Sequence, residues 1–282
     1  IKFIEHIYPD FLPNLSTCKS PQQMFGALAK TYYAEKKGID PKDMVSVSIM
    51  PCTAKKYEAN RPEMRDSGFQ DVDYVLTTRE LASMIQQTGV NVNTLKTENY
   101  DSIMGTSTGA AVIFGATGGV MEAAIRTAYE IVTGREVPFE KLNITPVRGF
   151  EGIKEAALRL EKVKPEWDFL EGVELKVAIA HGLANARNLV QAIKDKKVEY
   201  HFVEIMACPG GCLGGGGQPI PTNVEIRTAR MEAIYKEDEK MPIRKSHENP
   251  EIKAIYEEFL EEPNSHKSHK LLHTYYTERN RY

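Results

Sequence analysis

Four short runs of apolar and β-branched residues stand out along the chain, at 44–49, 72–77, 175–180 and 200–205, and each has the length of a strand. Between and around them, apolar positions recur at helical spacing over 21–36, 79–87, 119–132, 153–160 and 184–194, which predicts helices there. Strands alternating with helices argue for an α/β architecture. The run at 45–49 is apolar throughout except for Ser46 and Ser48 and reads as a buried strand. Two strand–helix units recur, around 45–87 and 175–205, and in each a cysteine follows the strand, Cys52 in one and Cys208 in the other. Loops beyond strand ends are where α/β sheets gather ligands, so a bound centre in a cleft between two lobes is expected. Past Pro221 the pattern changes to charged helices at 228–240 and 251–262, then to a tail carrying His266, His269 and His273. These histidines lie at helical spacing and could hold a metal, but a packed or solvated terminal helix is the expectation.

The expected fold is therefore α/β, with two strand–helix lobes of mainly parallel sheet flanking a central cluster cleft. Lobe one is expected over about 1–145, lobe two over about 146–220, and a helical C-terminal extension over about 221–282.

Composition narrows the function. A 282-residue chain with 41% hydrophobic and 27% charged residues is that of a globular protein with a sizeable core. Its net charge of -3 gives no basic face for nucleic acid. No run of eighteen apolar residues is present, so no membrane-spanning helix is expected.

The chemistry is concentrated in the four cysteines, Cys18, Cys52, Cys208 and Cys212. The chain is too large and too cysteine-poor for a disulfide-stapled secreted domain. Cys208-Pro209-Gly210-Gly211-Cys212 is followed by Leu213-Gly214-Gly215-Gly216-Gly217-Gln218-Pro219. Two thiols four positions apart in a glycine tract suit a backbone that folds tightly around an iron–sulfur cluster. Met50-Pro51-Cys52-Thr53-Ala54-Lys55-Lys56-Tyr57-Glu58 presents a third thiol at a strand end, followed by a basic pair suited to a negatively charged metal centre. Cys18 reads as a small buried hydrophobe. Gly105-Thr106-Ser107-Thr108-Gly109 fits the spacing of a hydrolase nucleophile elbow, but residues 99–102 before it do not read as a strand, so serine hydrolysis is not expected. Gly115-Ala116-Thr117-Gly118-Gly119 lacks the spacing of a dinucleotide-binding turn and is better read as a helix start.

The two cysteine segments resemble the second and third signature motifs of the iron-only [FeFe] hydrogenases, Met-Pro-Cys-x-x-Lys-x-x-Glu and Met-Ala-Cys-x-x-Gly-Cys-x-x-Gly-Gly-Gly-Gln, with every fixed position filled. Segments at 19–26, 77–81, 113–124 and 244–250 resemble further family stretches in family order. The family's first signature, Thr-Ser-Cys-Cys-Pro-x-Trp, is absent. Its place would lie just before Ile1, so the chain looks like the downstream part of a longer catalytic subunit.

The resemblance implies reversible interconversion of protons and electrons with dihydrogen. The implied cofactor is a 4Fe-4S cluster joined to a diiron subcluster carrying CO, CN and a bridging dithiolate. Three cubane ligands are implied at Cys52, Cys208 and Cys212, with Cys212 also bridging to the diiron unit and the fourth ligand in the absent signature. Cys18 matches a family position that is not a ligand. Lys55 matches the lysine aimed at a cyanide ligand, a charge-assisted contact. Met50 and Met206 match pocket methionines, whose polarizable thioethers suit a dry wall. Ser20, Pro21, Gln22, Phe114 and Gly115 match segments bordering the diiron site. Glu58 is given a local structural role, pairing with a basic neighbour. Ser16 matches the serine of a proton relay whose other members lie upstream. Implied partners are upstream iron–sulfur domains or electron-transfer subunits, ferredoxin or NADH-linked, and diiron-cofactor maturation proteins, in a cytoplasmic enzyme. A Nar-type iron–sulfur assembly factor, which shares the cysteine pattern without the diiron catalyst, is the alternative.

Overall fold

The computed structural model describes residues 1–101 and 104–280. Ser102, part of the segment weighed above as a strand before Gly105, lies outside the described residues. The chain divides into two compact units, 1–105 with 251–282, and 106–250.

The first unit opens with helix α1 (Lys2–Ile7) and a loop carrying Ser16 and Cys18. Helix α2 (Pro21–Leu28) follows, started by proline at its first position, and runs through a π turn (Ala29–Tyr33) into α3 (Ala34–Lys37). Gly38 ends the helix in the left-handed conformation at φ 65°. Strand β1 (Val47–Met50), helix α4 (Ala54–Ala59), strand β2 (Tyr74–Thr77) and helix α5 (Thr78–Gln87) complete this stretch. β1 and β2 pair in parallel, Val47 opposite Tyr74 and Met50 opposite Thr77. A Thr77–Glu80 capping box starts α5.

The expected burial of the 45–49 run does not hold. With only two strands in this sheet, Ser48 and Met50 turn inward while Val45, Val47 and Ile49 are 67%, 51% and 48% exposed. Met50 packs against a small core of Ala59, Val72 and Val75.

The second unit contains α6 (Gly109–Val112), the fifteen-residue α7 (Gly119–Thr133), strands β3 (Ile153–Arg159), β4 (Glu174–His181) and β5 (Phe202–Met206), α8 (Leu183–Lys194) and α9 (Val224–Lys240). Its sheet runs in the order β3-β4-β5, with β4 parallel to β5 and antiparallel to β3. The sheet and α7 enclose the larger core, including Met121, Ile125, Val177 and Ile179.

The helix expected over 153–160 is instead β3. Ile-Lys-Glu-Ala-Ala-Leu-Arg-Leu is rich in helix formers, yet its burial alternates, with Lys154, Ala156, Leu158 and Leu160 inward and Ile153, Glu155, Ala157 and Arg159 outward. Pairing along β4 satisfies one side of its backbone and packs the partly buried Ala156 and Leu158 against the core, and this outweighs intrinsic preference.

The chain then returns to the first unit through α10 (Pro250–Ile255), a π turn (Tyr256–Leu260) and α11 (His266–Leu272). Leu260, Leu271 and Leu272 pack on Leu28 and Tyr32. The C-terminal helices therefore do not form an extension of their own: α9 belongs to the second unit and α11 to the first, so the divisions fall elsewhere than the 145 and 220 boundaries expected. The histidine tail is a packed helix; His269 and His273 stack at 4.5 Å, and His273 Nδ1 lies 2.8 Å from Thr17 Oγ1.

Candidate metal centre

Each unit presents one thiol in the same local way. Cys52 lies two residues past the end of β1, and Cys208 two residues past the end of β5, each at the carboxyl end of a parallel-paired strand. None of Cys18, Cys52, Cys208 and Cys212 is in a disulfide.

In the first unit, Pro51 and Cys52 leave β1 and the chain enters α4, which carries Lys55 and Glu58. Glu58 Oε2 collects three donors: Ser20 Oγ at 2.8 Å, Gln22 Nε2 at 2.9 Å and Lys55 Nζ at 3.1 Å. Gln22 also reaches the Lys55 carbonyl at 3.3 Å and accepts from Ser48 Oγ at 2.8 Å. One carboxylate thus ties the start of α2, with Ser20, Pro21 and Gln22, to the helix that follows Cys52. Glu58 pairs with a basic neighbour as expected, but it does more than brace its own loop. Met50, on the inward face of β1, is half-buried against Ala59, Val72 and Val75.

Cys18, expected to be buried, is exposed. It forms an isolated bridge with His273, because the extended chain on both sides of it runs along the surface of the C-terminal segment. Ser16 is exposed, and its hydroxyl accepts the Cys18 amide at 3.3 Å.

In the second unit the loop from Cys208 to Gly214 is held by its backbone. Gly211 N–H reaches Cys208 O at 3.0 Å, Gly214 N–H reaches Gly211 O at 3.1 Å, and Cys212 O accepts from Gly215 N–H at 3.0 Å and Gln218 Nε2 at 3.2 Å. Gly210 and Gly211 have φ of 81° and 88°. A Cβ on Gly211 would stand 2.7 Å from Thr117 N and 3.0 Å from Gly115 O, so the loop lies directly on the 115–117 turn. Phe114 and Gly115 close the turn Ile113–Gly115 there, and Gly115–Gly119 starts α7, as the sequence suggested. Leu213 anchors the loop in a core with Ile113, Ala116 and Tyr235. Met206 ends β5 opposite His181.

Two residues of this half were not singled out from sequence. Glu204, on β5, accepts Gly118 N–H at 2.6 Å and Met121 N–H at 2.8 Å, at the positive end of α7. Burial pushes its carboxyl above the ordinary carboxylate range, and these amides oppose the rise. His181, at the end of β4, takes Gly210 N–H on Nδ1 at 3.1 Å. A charged residue inside an otherwise apolar strand run was the available signal for Glu204; a histidine closing one was the signal for His181.

Taken unit by unit, the donors fit iron–sulfur chemistry: in the first, a thiol past a strand end with a cation on the helix that follows; in the second, two thiols on a glycine loop packed too closely on the 115–117 turn to admit a Cβ at Gly211.

Known proteins agree. The family description "Iron only hydrogenase large subunit, C-terminal domain" matches residues 1–216, and "Iron hydrogenase small subunit" matches 224–279. The chain belongs to the iron-only hydrogenase family. Among relatives of this family, the NADP-reducing hydrogenase subunit HndD of Solidesulfovibrio fructosivorans is 50% identical over 282 residues, covering 100% of this chain and 46% of that protein. The chain thus spans about half the length of that hydrogenase subunit. An apo [FeFe]-hydrogenase from Chlamydomonas reinhardtii has a similar structure, with TM-score 0.85 and 44% identity over 99% of this chain and 74% of that one. Protein NAR1 of Arabidopsis thaliana is similar at 34% identity, over 94% of this chain and 56% of its own length.

Proposed function

We propose that this chain is the downstream part of the hydrogen-converting domain of an [FeFe] hydrogenase, a catalyst of the reversible exchange between protons, electrons and dihydrogen. The observation that carries this reading is that both cysteine signatures are intact and each is delivered at the carboxyl end of a parallel strand, in a chain 50% identical to a hydrogenase subunit along its whole length.

Cys52, Cys208 and Cys212 would hold the 4Fe-4S cubane, and Cys212 would also meet the diiron subcluster with its CO, CN and dithiolate ligands. Such a centre supplies reversible two-electron exchange with protons when bound. The chain's own residues do the rest. Lys55, its ammonium steadied by Glu58, offers a cationic donor to an anionic ligand. Ser20 and Gln22 are steadied by the same carboxylate, beside Pro21. Met50, Met206, Phe114 and Gly115 would line the pocket and exclude water. The exposed Ser16 hydroxyl would pass protons between solvent and residues upstream.

Electrons would come from upstream iron–sulfur domains or a ferredoxin- or NADH-linked subunit, and the diiron unit from dedicated maturation proteins, in a cytoplasmic complex. No helix among the described residues is long and apolar enough to cross a membrane. The assembly-factor alternative is not favoured: without the diiron unit a protein would have no use for the pocket that Met50, Lys55 and Met206 would form.

Infrared spectroscopy of the matured parent subunit tests the proposal, with bands of metal-bound CO and CN expected. In the same preparation, Cys52→Ser, Cys208→Ser and Cys212→Ser are each expected to lower cluster iron to less than half. Wild-type iron in all three variants, or a matured subunit without those bands, would overturn the assignment.

A further inference from the structure

His181 is a buried imidazole whose two ring nitrogens are both engaged, and neither partner is a side chain. Gly210 N–H points at Nδ1 from 3.1 Å, so Nδ1 must be the acceptor. The proton is therefore on Nε2, which donates to the Phe150 carbonyl at 3.0 Å. Both bonds together hold the ring in one tautomer and one orientation. The ring itself is fixed by its strand, since His181 pairs with Met206 across β4 and β5 and Asn185 Nδ2 bonds its carbonyl at 2.8 Å.

Gly210 sits midway between Cys208 and Cys212, with its carbonyl taken by Thr117 N–H at 3.1 Å. Its amide thus belongs to the short stretch of backbone that links those two sulfurs. Hydrogen bonds to the sulfurs of an iron–sulfur cluster stabilise the more negative, reduced form and raise the reduction potential. An amide committed to an imidazole nitrogen makes no such bond.

We propose that His181, as its neutral Nε2–H tautomer, is a positioning residue of the cysteine loop: it holds the Gly210 amide and withholds that N–H from the cluster, keeping the cubane's reduction potential low. This rests on the cluster reading above. Glutamine can reproduce both bonds, with Oε1 accepting and Nε2 donating, whereas leucine fills the space and offers neither.

The test has two readouts. Nitrogen-15 NMR of histidine-labelled apo chain reads the tautomer without any metal, and the shifts of an acceptor Nδ1 and a protonated Nε2 are expected for His181. In the metallated holoenzyme, an EPR-monitored redox titration of the cubane is expected to give a more positive midpoint for His181→Leu and a wild-type midpoint for His181→Gln. A proton on Nδ1, an unshifted His181→Leu, or a His181→Gln that shifts as far as leucine does would overturn the proposal. Should His181→Leu fail to fold, the His181→Gln midpoint and the wild-type tautomer decide, and a shift of the former or the wrong form of the latter sinks it. A wild-type chain that takes up no cluster defeats the cluster reading instead, and the nitrogen shifts still judge the loop contact separately.

Discussion

At the residue scale, the polar groups that matter most are those whose partners converge from distant parts of the chain. Glu58 gathers Ser20, Gln22 and Lys55, so Glu58→Ala strips three donors of one acceptor. Because the carboxylate is 23% exposed and water replaces part of what is lost, a destabilisation of roughly 1 kcal/mol is expected, read as a lower urea midpoint at unchanged slope. Lys154 is a different case. It is 5% exposed, and burial pushes its ammonium down to about 8 while it donates to Gly149 O at 2.8 Å. Its folded pKa lies below the unfolded value of about 10.4, so between those two pH values the unfolded chain binds more protons and stability rises with pH. The rise amounts to up to about 3 kcal/mol and should be absent in Lys154→Met, a difference visible in urea titrations of both proteins at pH 7 and pH 10. The cysteines, Lys55 and the methionines could be singled out from the sequence as candidates because spacing within a short motif marks them. His181 and Glu204 were not, since their partners are main-chain groups 29 to 86 positions away, and no local pattern encodes such a meeting.

At the element scale, strands β1, β2, β4 and β5 and helices α5, α7 and α8 fall within a few residues of where periodicity puts them. The 21–36 helix was also legible, though not its π turn. β3 was not, because Ala, Leu, Glu and Arg favour helix locally and only the neighbour strand decides otherwise. A peptide covering 151–161 is accordingly expected to show no strand signal by circular dichroism. Within the protein, Ala157 faces outward on this edge strand opposite Lys176, so Ala157→Thr should stabilise by roughly 0.5 kcal/mol in thermal unfolding. A destabilised Ala157→Thr would mean that strand preference does not limit this edge. The exposed Val45, Val47 and Ile49 of the 45–49 run carry the same lesson from the other side: an apolar run announces a strand, but the number of neighbouring strands determines how many of its faces are covered.

At the scale of the whole molecule, the division into units was the least legible feature, because contacts between the first and last parts of a chain leave no trace in local composition. The first unit is completed by 251–282, where Leu260, Leu271 and Leu272 cover Leu28 and Tyr32. The second has its own core and an internal network in which the fully buried Arg126 pairs with Glu122 and Asp238 at 2.6 and 2.8 Å. A chain ending at Pro250 should therefore keep hydrogen-exchange protection in β4, β5 and α7 while losing it in α2 and α4. Equal loss in both sets would show that the second unit depends on the first.

The return of the chain to its first unit also orders events during synthesis. Translation releases the N-terminus first, yet the cover over α2 leaves the ribosome only after the whole second unit has been made. The glycine loop with its pair of sulfurs can reach its finished form while α2 is still waiting for its cover. On the ligand set proposed above, a nascent chain would thus present a two-thiol cradle already shaped before the unit that carries Cys52 is complete.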